Sequence, residues 1–186
     1  MKTNLILLVV VLMTAASCSS GMLGEKVREP FRGNKYESNN RFFRGTGKGE
    51  SSQDNIARGK ADIEAKAELA SQVQTTVKEV SDQYLGQTSN EAAANVADKF
   101  QSLIREVMDT DIADVRKIGE EKYFNKKENK YTVFIAYEIK KNAMFRFMRK
   151  KAELNSNLSD KQKEEILKVI DEEIKAADAA DKEDGQ

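Results

Sequence analysis

The sequence predicts an α+β fold: a three-stranded antiparallel sheet with two long helices on one face, followed by C-terminal helices. Three observations carry this. Gly45, Gly47 and Gly49 occupy alternate positions, so they line one face of a strand. Apolar residues then recur at helical spacing over two long segments. Finally, Tyr131 to Lys140 alternates residue by residue, the pattern of a half-buried strand.

Arg41 to Glu50 is the first predicted strand. Glycine on one face of a strand marks a place where another backbone approaches closely. The helix from about Asp54 to Tyr84 meets that need. Its stripe is Ala61, Ala65, Leu69, Val73, Val77, Val80 and Tyr84, with alanine confined to the N-terminal half. Small residues there let the helix lie close on the glycine face. Ser51, Ser52 and Asp54 are candidate caps, and Gly86 stands where the helix should end.

Thr88 and Glu91 have capping-box spacing. The second long helix follows to about Met108, with the stripe Ala93, Val96, Phe100, Leu103 and Val107. Ile112 to Phe124 and Tyr131 to Lys140 are strands, and the polar turn 125–130 makes them a hairpin. Tyr131, Val133, Ile135, Tyr137 and Ile139 form one face of the second strand. A short helix covers about Asn142 to Leu154. Ser159 and Gln162 then cap a last helix with the stripe Ile166, Ile170, Ile174 and Ala177. The acidic end, Asp178 to Gln186, is expected to fray.

The N-terminal segment has a different logic. Lys2 precedes an unbroken apolar run, Leu5 to Met13, and then Ala15-Ala16-Ser17-Cys18. This is the layout of a secretory signal peptide, and the run is far short of the ~20 residues that span a bilayer. Cys18, the only cysteine, stands directly after the small residues. It is similar to the cysteine of the bacterial lipobox, with Ala15 where leucine is usual. The expectation is a signal peptide over 1–17 and lipid on Cys18. That modification would consume a thiol that otherwise invites intermolecular pairing. One acyl chain anchors marginally and two or three anchor firmly. Residues 18–40, with scattered Gly, Ser and Asn and the lone Pro30, read as a flexible tether. The body is expected at 41–141, and 142–186 as a C-terminal helical extension.

Composition narrows the chemistry. Removing residues 1–17, which contain Lys2 and no acid, leaves 30 basic against 31 acidic side chains. That balance gives no overall electrostatic case for nucleic acid. With no histidine and one cysteine, zinc sites built on those residues and Ser-His or Cys-His catalysis are excluded.

Four groupings invite functional readings. Gly45-Thr46-Gly47-Lys48 departs from a phosphate loop, because one residue separates its first glycines and Gly49 follows the lysine. Asp109, Asp111 and Asp114 miss calcium-loop spacing. Carboxylates such as Glu64, Glu68 and Glu138 would suit glycan hydrolysis if two faced each other, but many such pairs arise by chance in so charged a chain. Lys140, Lys141, Arg146, Arg149, Lys150 and Lys151, interleaved with Met144, Phe145, Phe147 and Met148, form a basic amphipathic helix. It suits an anionic surface. The favoured reading packs its Met/Phe stripe on the sheet with a solvated basic side; its charges could equally pair with the acidic last helix. Residues 171–186 contain seven acids and two lysines.

Gly45-Thr46-Gly47-Lys48-Gly49-Glu50, the alanine-rich run Ala57 to Ala70 and the strand Tyr131 to Glu138 together resemble the LPP-twenty lipoprotein family, named for a twenty-kilodalton bacterial lipoprotein. The resemblance covers about residues 41–141 and the lipoprotein signal. It implies a strand-helix-strand-strand domain in the cell envelope, with no shared catalytic residues to carry over. A flagellar relative in that family assembles into rings, but nothing in this sequence points to a motor.

The expected function is therefore a structural or interaction role at a membrane, anchored through Cys18. No catalytic residue, cofactor or metal is expected, and a protein partner or self-assembly is. Ser19 and the lack of an acidic run after Cys18 favour the outer membrane, facing the periplasm. A carboxylate-dependent glycan hydrolase and a small-ligand or lipid-binding module are the alternatives.

Overall fold

The computed structural model describes residues 27–87, 91–108 and 114–183. Cys18, the signal segment, Asp109 and Asp111 lie outside them. After a single 3-10 turn at Asn34–Tyr36 come β1 (Phe42–Ser51), α1 (Asp54–Gln87), α2 (Glu91–Met108), β2 (Arg116–Asn125), β3 (Lys130–Lys140), α3 (Lys141–Leu154) and α4 (Asp160–Glu183). The sheet is antiparallel in the order β1-β3-β2, so the fold is α+β with the hairpin strand β3 in the middle.

The contact between α1 and β1 organises the molecule. A Cβ on Gly45, Gly47 or Gly49 would lie 2.0–2.4 Å from the carbonyl oxygen of Ala65, Ala61 or Ala57 respectively. The helix backbone thus rests directly on the strand backbone. Ala57, Ala61 and Ala65 have no exposed surface, and Val133 and Ile135 of β3 complete this smaller core. Toward β2 the same helix is joined by polar pairs, because Glu120 and Lys122 stand on the inward face of that strand. Arg58 pairs with Glu120, Lys122 with Asp54, and the Tyr137 hydroxyl donates to Asp62.

Beyond the glycines the stripe of α1 enlarges to Leu69, Val73 and Val77, and a second, larger core begins. Phe100, Leu103 and Val107 of α2, Met144, Phe145 and Met148 of α3, and Ile166 and Ile170 of α4 meet there. The first long helix lies on the sheet as expected. The second packs on α1 and on the C-terminal pair, its strongly amphipathic face turned to them.

The C-terminal helices pack onto the body: their apolar faces fill the larger core with Phe43 and Ile139 of the sheet. One reading of this segment changes, because the chain does not fray from Asp178: α4 is helical to Glu183. Asp178 accepts from Arg146 and Asn142, and Asp181 from Arg41, Lys140 and Asn142, so charge pairing joins the burial of Ala177 and Ala180 in holding this end. Ser159 and Gln162 do form the reciprocal box at the start of α4, each backbone N–H donating to the other's side chain. In the hairpin turn, Asn125 Oδ1 accepts from the N–H groups of Lys127 and Glu128.

Candidate functional site: the outer face of the sheet

The face of the sheet turned away from α1 is built in cross-strand rows. In the first, Arg44 stands opposite Glu138, which stands opposite Arg116. Arg44 Nε donates to Glu138 Oε2 at 3.0 Å, and Arg116 donates to the other carboxylate oxygen. The Glu138 side chain is only 7% exposed, so both its oxygens are engaged in a site largely closed to water. Removing Glu138 would leave the mostly buried Arg44 without its carboxylate, whereas Arg116, 70% exposed, would be solvated.

The next row is Thr46, Ala136 and Gly119. All three are small, and together they form a trough across the three strands. The ring of Phe31 lies in it: a Cβ on Gly119 would meet Phe31 Cε1 at 2.5 Å. Ala136 is accordingly buried although it is on the outer face. The third row is Lys48, Phe134 and Glu121, with the Lys48 ammonium 5.8 Å from the Phe134 ring centroid and Tyr123 edge-on to that ring.

Phe31 belongs to a strap, residues 29–38, where the sequence reads as flexible tether. Its chain is not a featureless spacer. Tyr36 lies tilted against Phe31 with centroids 5.1 Å apart, and the Tyr36 N–H donates to the Gly33 carbonyl. Glu29 pairs with Arg32 at 2.9 Å and with Lys48 at 3.9 Å. Ser38 Oγ accepts from the Arg44 N–H, and Arg44 Nη1 donates to the Glu37 carbonyl. Between the strap and α1 is an open cleft of about 270 Å³ lined by Arg32, Ser38, Arg44, Glu68 and Gln72 among others.

The strap is held lightly. Phe31 is only half-buried, so its ring contributes less than the ~1.5–3 kcal/mol of a fully buried one. Against it stands φ 58° at Phe31, in the left-handed region, which costs a non-glycine residue ~1–2 kcal/mol. Ordering the backbone costs a further ~1 kcal/mol or more for each residue, and the strap's ion pairs are largely exposed and worth ~0–1 kcal/mol each.

The residues singled out from sequence go to different places. Gly45, Gly47 and Gly49 serve helix packing, while Lys48 points to the outer face. Glu64 Oε2 accepts from the Lys48 N–H at 3.0 Å and closes the free edge of β1. Glu68 accepts from Gln72 beside the cleft, and Glu138 is in its ion row. The three candidate carboxylates therefore have separate partners. Asp114 is exposed, with φ 74°.

The basic helix does bury its stripe, but between α2, α4 and the sheet and not on the sheet alone, and its arginines are paired instead of solvated. Met144, Phe145 and Met148 are buried, Phe145 edge-on to Phe43. Arg146 pairs with Asp178 and Arg149 with Asp171 on α4. Lys141 Nζ lies 4.9 Å from the Phe43 ring centroid, and burial pushes its pKa down. Lys150 is exposed, and Lys151 lies over Phe147.

Sequence reasoning missed the strap and its trough. The available signal was Gly119, an isolated glycine within a strand, which marks close approach of another group. No family model matches the chain, and no curated protein matches it.

Proposed function

We propose that this chain is a lipid-anchored cell-envelope protein with a structural or protein-interaction role. The observation that carries the reading is Cys18, the sole cysteine, directly after Ala15-Ala16-Ser17 and the apolar run Leu5 to Met13. The reading as an LPP-twenty-like lipoprotein rests on the resemblance carried by Gly45 to Glu50, Ala57 to Ala70 and Tyr131 to Glu138. Ser19 supports the outer membrane, with the body facing the periplasm. The outer face of the sheet, with its aromatic and charged rows, is the surface we assign to a protein partner or a second copy.

The test compares wild type with Cys18→Ser in cells fed a clickable palmitate analogue. Wild type should take up the label and stay in the membrane fraction through a high-salt wash, and the variant should do neither. A variant that remains membrane-bound would end the lipid-anchor reading. Crosslinking in native membranes addresses the interaction role, which a strictly monomeric protein with no crosslinked neighbour would refute.

A further inference from the structure

We propose that residues 29–38 are a releasable latch, with the Phe31 ring as its bolt and the Thr46–Ala136–Gly119 trough as its seat. Three features of the strap point to this. Apart from the ring, its polar hold on the body among the described residues is one ion pair, Glu29 with Lys48, and hydrogen bonds joining Ser38 and the Glu37 carbonyl to Arg44. Positive φ at Phe31 and at Gly33 places a left-handed backbone on both sides of Arg32, so relaxation of Phe31 favours release. The seat is made of small side chains on strands already paired to one another, so it does not depend on the strap for its own form. A segment with few buried contacts opens well below the free energy of global unfolding.

Release would have a mechanical consequence, which rests on the proposed anchor at Cys18. Eleven residues separate Cys18 from Glu29, and twenty-three separate it from Arg41. At ~3.3–3.6 Å per residue, the maximum reach grows from ~40 Å with the latch closed to ~80 Å with it open. The latch thus sets two working distances between the body and the surface it is tethered to.

The experiment is hydrogen exchange read by mass spectrometry on the purified full chain, comparing wild type with Phe31→Ala and Gly119→Val. The first variant removes the bolt. The second fills the seat, since its Cβ would stand where the ring now lies. Both should speed exchange in peptides covering 34–38 and 44 at least tenfold, while α1 and β3 keep wild-type rates. Strap exchange that stays as slow as that of the core in wild type and both variants would overturn the latch. A variant that speeds α1 and β3 equally would overturn it too, because the strap would then be part of the core. Neutron reflectometry on bilayers bearing the same proteins reads the reach: both variants should widen the gap between bilayer and body. If exchange responds as expected but no protein is retained on the bilayer, the latch stands and the anchor reading fails. If protein is retained and the gap does not widen, the two-distance consequence is overturned.

Discussion

Gly47 of β1 and Ala61 of α1 are so close that a Cβ on the glycine would lie 2.3 Å from the alanine carbonyl oxygen. The nitrogen of Ala65 is equally near that point. Both neighbours are backbone, so no rotamer change can make room.

Gly47→Ala should therefore cost about 3 kcal/mol or more, at the upper end of overpacking, because a helix must lift off a strand. Gly59 is the control. It lies in the interior of α1, and a Cβ added there would meet nothing within 4 Å. Gly59→Ala should stabilise the protein by about 1 kcal/mol through helix propensity. Urea unfolding of the two variants should shift the midpoint in opposite directions.

Ser81 offers a gain of another kind. Its hydroxyl is buried with no hydrogen-bond partner among the described residues, beside a space of about 10 Å³ between Val96, Phe100 and Ile166. An unpaired buried hydroxyl costs roughly 1–3 kcal/mol. Ser81→Ala should raise the melting temperature, and a lower one would show that the hydroxyl is satisfied in solution.

Asp181 couples the end of α4 to the start of β1. The hydrogen bond from Arg41 holds its carboxyl below the ordinary 3.8, with Lys140 adding to the effect against the opposing influence of burial. A carboxyl depressed on folding contributes stability above its unfolded pKa and loses it as pH falls through the folded one. Asp181→Asn should cost about 1 kcal/mol at neutral pH. The gap between variant and wild type should narrow below about pH 4, as read by thermal melts across the acid range.

Tyr137 provides the alkaline counterpart. Burial, then the hydrogen bond it donates to Asp62 at 2.5 Å, pushes its pKa to about 12. Here the folded value is raised, so the contribution is complete below the ordinary 10 and is lost as pH rises through about 12. Ultraviolet titration should show a late tyrosinate step that is missing in Tyr137→Phe. Wild type and variant should then converge in stability as the alkaline limit is approached.

The sequence by itself determined the order of elements, the sheet hairpin and the glycine face, because these follow from periodicities of two and of three to four residues. Gly45, Gly47 and Gly49 even announced the alanine face that would cover them. Charge and partnership were legible only in outline. The cations of 140–151 could be set against the acids of 171–186, but Asp178 and Asp181 still read as a fraying end, because which acid meets which cation, and that Arg41 joins them at Asp181, depends on residues distant in the chain. Phe31 read as tether for a similar reason: its seat is one residue from each of three strands, and only the register of the sheet sets Thr46, Ala136 and Gly119 in a row. Local pattern decides which face of an element is apolar, whereas a contact between distant residues exists only once tertiary packing has fixed both partners in space.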